Sequence, residues 1–201
     1  MNLSRRAVLS GALALAACSR VKAEPRAASA RARALIAAAR RQVGVTLAYD
    51  PAYTALAYPG GDVDRAKGVC TDVVIRAYRD AFGIDLQRDV HEDMAVHFAA
   101  YPRRWGLTRP DRNIDHRRVP NLETYWTRMA ARLPIPARPE DWQPGDLFTT
   151  LINGRLPHVG IVSDRITTNG NPLVIHNIGS GTREEDRLLS WKPTGRFRWR
   201  V

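Results

Sequence analysis

Cysteine is scarce: the 201 residues contain two, Cys18 and Cys70. That leaves room for one disulfide at most. After the first eighteen residues no apolar run is long enough to cross a bilayer, which takes about 20 residues. Acidic residues are outnumbered, 20 against 31 basic ones, for a formal charge of +11. Charge of that sign suits anionic partners. No nucleic-acid-binding motif accompanies it, so nucleic acid is not expected as a partner. The excess is mostly arginine spread along the chain, the pattern of a solvated surface. No internal repeat and no internal domain boundary interrupts the sequence. A hydrophobic content of 44% is enough for one domain with a real core.

The start of the chain reads as an export signal. Arg5 and Arg6 supply the positive end, and Ala7 to Ala17 is an apolar run of eleven. Ser4-Arg5-Arg6 resembles a twin-arginine signal. Leu15-Ala16-Ala17-Cys18 looks like a bacterial lipobox, which implies lipidation of Cys18. The rival is cleavage after Val21-Lys22-Ala23. The expected organisation is a signal segment over residues 1–23 and a single domain over 24–201. Either cleavage implies an exported protein of the periplasm or cell envelope, attached to a membrane only through an N-terminal lipid. Cys70 is then unpaired in an oxidising compartment, where a free thiol needs a chemical task.

A polar, alanine-rich leader runs into a helix ending near Val43. An extended stretch follows to Asp64, with a turn at Pro59-Gly60-Gly61-Asp62. Cys70 to Phe82 reads as a helix closed by Gly83, with Val73, Val74, Ala77 and Ala81 on its packing face. Helices are predicted over 89–100 and 122–132, on either side of a basic, proline-bounded loop from Pro102 to Pro120. Short strands follow at 146–152, 158–164, 173–177 and 196–201, separated by glycine and asparagine turns. Helices first and strands after give an α+β fold around an antiparallel sheet.

Cys70 falls in the first turn of its helix, where the helix dipole and unpaired N–H groups favour the thiolate. A nucleophilic cysteine needs a base, and the base an orienting partner. His158 opens one strand and His176 ends the next. A hairpin about Asn169-Gly170 that pairs 164 with 170 sets 158 opposite 176, with Cβ atoms about 4.5–5.5 Å apart. A slip of one residue would put the two rings on opposite faces.

Pro144-Gly145-Asp146-Leu147-Phe148, His158-Val159-Gly160-Ile161-Val162 and Ile175-His176 together resemble the NlpC-type branch of papain-like cysteine peptidases. More narrowly, GVCTDVVIRAYR, RPDRNIDHRRVPNL and PLVIHNIGSGTREED look like the bacterial domain of unknown function 1287 family, over most of residues 35–200. The superfamily's usual Asp-Cys-Ser/Ala-Gly segment is replaced here by Val69-Cys70-Thr71-Asp72. The resemblance implies a papain-like fold with the nucleophile helix packed on the sheet. It makes Cys70 the nucleophile, His158 the general base and acid, and His176 the orienting group. Asn177 is the alternative orienting residue and Asp164 a more distant one. The Cys70 backbone N–H would meet the oxyanion.

Tyr58, twelve residues before Cys70, stands where such enzymes keep a substrate-contacting tyrosine. In the run Asp115-His116-Arg117-Arg118 the arginine forks suit a carboxylate, so Asp115, His116 and Arg117 are candidate substrate contacts, as is Tyr58. His91 and His97 lack the spacing of a helical zinc pair and read as surface; neither a metal nor a cofactor is expected. The expected activity is thiol hydrolysis of a peptide or amide bond in the cell envelope, in peptidoglycan stem peptides or another anionic polymer. The alternatives are an acyl or peptidyl transferase and a non-catalytic envelope-binding module.

Overall fold

A computed structural model describes residues 27–201. The expected signal segment over residues 1–23, with Cys18, lies outside the described residues. Among those described, no helix is long and apolar enough to cross a membrane.

The helices are α1 (Ala30–Arg40), α2 (Cys70–Phe82), α3 (Leu86–His97) and α4 (Val119–Arg128). Two short strands, β1 (Ala48–Tyr49) and β2 (Lys67–Gly68), pair in parallel just ahead of α2. The main sheet contains β3 (Arg132–Leu133), β4 (Leu147–Ile152), β5 (Leu156–Ile166), β6 (Pro172–Asn177), β7 (Thr182–Glu185) and β8 (Pro193–Phe197). Its strand order is β3-β8-β4-β5-β6-β7, antiparallel at every step. The α+β reading with an antiparallel sheet therefore holds.

The sheet buries both faces. Leu147, Val159, Ile161, Ile175 and Phe197 join α1, α2 and α4 in the main core. Phe148, Val162 and Val174 point the other way, into a smaller core with Trp142 and Leu188. Alternation along each strand assigns these faces.

Helix α2 is the central element, with every residue from Cys70 to Tyr78 buried. Periodicity identifies one packing face, but the chain between 46 and 68 covers the other. Arg76 ties that chain down: its fully buried guanidinium donates to Asp62 and to the Val63 and Lys67 carbonyls. At the N-terminus Val69 has no side-chain oxygen to cap the helix. Asp72, three residues on, reaches back and accepts the Val69 N–H at 2.7 Å, one half of a capping box. Gly83 closes the other end in the left-handed conformation, φ 66°.

Several boundaries differ from the sequence-based expectation, among them the last strand, expected over 196–201 and observed at Pro193–Phe197, and the end of α4, expected near 132 and observed at Arg128. Helix α3 begins at Leu86 because the Asp85 carboxylate caps it by accepting the Gln87 N–H. Helix α4 begins at Val119 because Pro120 is favourable in a first turn.

Candidate functional site

Helix α2 delivers Cys70 to one end of β5. The β5–β6 ladder runs from Ile166↔Pro172 through Val162↔Val174 to Ile161↔Ile175. Beyond that last pair the Val159 N–H turns to the Cys70 sulfur, which also receives the N–H groups of Thr71 and Cys70 itself. Among the described residues the sulfur takes hydrogen bonds from backbone N–H groups and none from an imidazole. These bonds favour the thiolate, but burial outweighs them and pushes the thiol up to about 11. Cys70 is 4% exposed.

His158 and His176 do come together. His158 Nε2 lies 2.7 Å from His176 Nδ1, and His176 Nε2 lies 3.0 Å from Glu185 Oε1. The register that achieves this is not the one expected. The hairpin end pairs Ile166 with Pro172 rather than 164 with 170, and a bulge between Val162 and Ile166 takes back only two of the four residues of that offset, so the ladder carries Gly160, not His158, opposite His176. A shift of two keeps both imidazoles on one face, and His176 reaches His158 diagonally. Gly160 makes the diagonal possible: a Cβ there would stand 2.6 Å from Phe148 Cε1 and 3.0 Å from His176 Cβ. Phe148 packs beside both rings, with centroids at 6.2 and 6.5 Å. The imidazoles thus lie on the face of the smaller core while Cys70 belongs to the main core. The alternation that separates Val159 from His158 therefore sets the thiol and the imidazoles on opposite faces of β5.

Proton positions along this row are ordered by its last member. A carboxylate oxygen of Glu185 accepts, so His176 donates from Nε2 and, as a neutral ring, accepts at Nδ1. His158 then donates from Nε2 and carries its lone pair on Nδ1. Both rings are held neutral. Burial pushes His158 down to about 3, helped by His176, and burial also lowers His176 although Glu185 opposes it. A neutral imidazole with a bare nitrogen is what a general base requires. Glu185 was not a candidate from the sequence, since β7 is only four residues long and has no apolar alternation to mark it.

A cleft of about 200 Å3 opens beside Cys70, lined by Tyr49, Val69, Trp105, Arg118 and Pro157 among others. The loop from Pro102 to Pro120 forms one wall. Tyr49, not Tyr58, is the tyrosine facing the thiol; burial and the nearby Cys70 both raise its phenol. Parallel pairing of Tyr49 with Gly68 sets it there, a contact that spacing along the chain does not reveal. Gly68 is needed for close approach, because a Cβ would meet Asp72 Oδ2 at 2.9 Å.

Several candidates serve the scaffold instead. Asn177 does not orient His158; its amide donates to the Gly68 and Ala48 carbonyls and staples β6 to the short parallel pair. Asp164 pairs with Arg40 at the far end of β5. Tyr58 packs edge-on against His91, away from the cleft lining. Asp115 and His116 are buried in a 3₁₀ turn off the cleft. Burial holds Asp115 up at about 6 and His116 down at about 3. Arg117 lines the cleft, but its guanidinium is committed to Asp72 through bonds of 3.0 and 2.9 Å. With 2% and 5% side-chain exposure, this buried pair locks the loop to the first turn of α2.

A family model described as a domain of unknown function, DUF1287, matches residues 36–199. The chain belongs to the DUF1287 family. It is 55% identical over 163 residues to the uncharacterized protein YijF of Escherichia coli strain K12, covering 81% of this chain and 79% of that one. The family match over residues 36–199 spans Cys70, His158, His176 and Glu185 as well as the loop that walls the cleft. Among the described residues no group of histidine, cysteine and carboxylate side chains has the arrangement of a metal site.

Proposed function

We propose that this DUF1287 protein is a thiol hydrolase that cleaves a peptide or amide bond, with Cys70 as nucleophile, His158 as base and His176 as orienting residue in a papain-like arrangement. The observation that carries the reading is the buried row His158–His176–Glu185, which leaves a bare, neutral nitrogen on His158. In the attack the sulfur adds to the carbonyl carbon and the thiol proton passes to His158 Nδ1, a transfer that requires the imidazole to be brought round the end of β5 to the thiol. The tetrahedral oxygen is met by backbone N–H groups at the start of α2, with the Tyr49 hydroxyl on the same cleft wall. His158 returns the proton to the leaving amine, and water, deprotonated by the same nitrogen, releases the acid from the thioester. The resting pair is neutral, so thiol and base ionise during the attack rather than before it.

The substrate class in this reading is the peptide portion of the bacterial envelope. The export-like N-terminal segment and the basic composition support that setting, as does the resemblance to NlpC-type enzymes. A periplasmic or lipid-anchored location through Cys18 belongs to the same proposal.

One observation favours a second reading, a non-catalytic envelope-binding module. The thiol is almost fully buried and raised, as in a structural cysteine. Incubating the protein with peptidoglycan stem peptides and resolving the products by mass spectrometry separates the two. New amine and carboxyl ends that vanish in Cys70→Ser and His158→Ala support the hydrolase. An unchanged digest from folded protein, together with wild-type binding by Cys70→Ser, leaves the binding module.

A further inference from the structure

We propose that Arg118 reads a carboxylate in the cleft, so that the substrate carries a free carboxylate beside the bond Cys70 attacks; this rests on the thiol-hydrolase reading. The cleft lining contains two arginines and no aspartate or glutamate. The two are not equivalent. Arg117 commits four of its five N–H donors: to Asp72 at both oxygens, and to the carbonyls of Ala52 and Asp50. Arg118 donates no side-chain hydrogen bond among the described residues, and its Nη1 is buried without a partner. The facing Asp115 oxygen stands 3.8 Å away and is likewise unpartnered. The other oxygen of that carboxylate accepts the Asp111 N–H.

A guanidinium with open donors at the edge of a groove is costly unless something completes it. Its position is also set. The fork lies 4.1 Å over the Trp105 ring, and the Arg118 carbonyl accepts the N–H groups of Asn121 and Leu122 at the start of α4. A planar, preoriented fork suits a carboxylate, which takes two parallel N–H bonds. Asp72 already shows that geometry one residue away. The side chain keeps 17% of its surface exposed, enough for a ligand to approach.

Two alkylating probes of equal size test this: N-chloroacetylglycine and its neutral amide, N-chloroacetylglycinamide. In each, the Cys70 sulfur displaces chloride and forms one C–S bond, and the intact protein mass reports the rate. The quantity read is the acid-to-amide rate ratio, divided by the same ratio for glutathione at the same pH. We expect the wild type to favour the acid about tenfold, the scale of a charge-assisted hydrogen bond. The preference should shrink in Arg118→Gln, be kept in part by Arg118→Lys, and weaken in high salt. A normalised ratio near one in the wild type, or a preference that survives Arg118→Gln, overturns the proposal while leaving the thiol reading intact. Failure of both probes to modify Cys70 removes the thiol reading and this inference together.

Discussion

Gly160→Ala tests the link between the sheet and the site. The added Cβ would stand 2.6 Å from Phe148 Cε1, 3.0 Å from His176 Cβ and 3.1 Å from the Ile175 carbonyl oxygen. The Phe148 ring can swing, but a Cβ and a carbonyl move only with β6. Overpacking of this kind costs about 1–3 kcal/mol, which in a chain of this size lowers the melting temperature by about 2–4 °C per kcal/mol. Displacement of β6 also lengthens the 2.7 Å contact between the two imidazoles. Site chemistry should therefore fall further than stability does.

Gly195→Ala is the matched control. Its Cβ would stand 2.6 Å from Thr149 Oγ1 and 2.7 Å from Phe197 Cε2, with neither histidine among the atoms it meets. Urea unfolding gives the stability of each variant, and alkylation of Cys70 by chloroacetamide gives the state of the site. Both variants should lose comparable stability, and Gly160→Ala alone should lose most of its stem-peptide cleavage. Equal cleavage by the two variants would refute the idea that Gly160 exists to let His176 cross to His158. So would a Gly160→Ala protein as stable as wild type.

Glu185→Leu removes the acceptor that orders the imidazole protons and should lower cleavage about tenfold or more, while Glu185→Gln, which can still accept, should retain more activity; equal losses would sink the positioning role. Asp72→Asn leaves the buried Arg117 charge uncompensated and should cost about 3–5 kcal/mol in urea unfolding, with the double Asp72→Leu, Arg117→Leu variant less damaged than the sum of its parts; a loss below about 1 kcal/mol would mean the pair behaves as a surface bridge. Acid should also destabilise the fold. His116 and His158 fall from the ordinary 6.5 to about 3, so between those values the unfolded chain binds more protons and stability falls as pH falls, by about 2 kcal/mol per histidine at pH 5. Asp115, raised to about 6, works in the opposite sense over about pH 4 to 6 and returns about 1 kcal/mol. The net expectation from pH 8 to pH 5 is a loss of about 3 kcal/mol, and unfolding midpoints that stay level across that range would contradict the buried, neutral histidines.

The elements that carry chemistry were legible because local rules decide them. Gly83 stops α2, alternation marks β4, β5 and β6, and helical spacing puts Val73, Val74 and Ala77 in the core. A lone cysteine at a helix start and two strand-borne histidines could be picked out of 201 residues for the same reason. Even the wrong hairpin register kept the histidines together, since an error of two residues preserves the face. Contacts between distant segments were not legible. Tyr49 reaches Cys70 through a two-residue parallel pair, Glu185 reaches His176 across β6–β7, and Asp72 selects Arg117 over Arg118 across a loop. Each of these depends on where the backbone travels over tens of residues, and no spacing rule encodes that path. Residue types and their local periods determined which side chains were available for chemistry. Only tertiary packing decided which of them are buried together, which are neutralised, and which arginine is left with open donors.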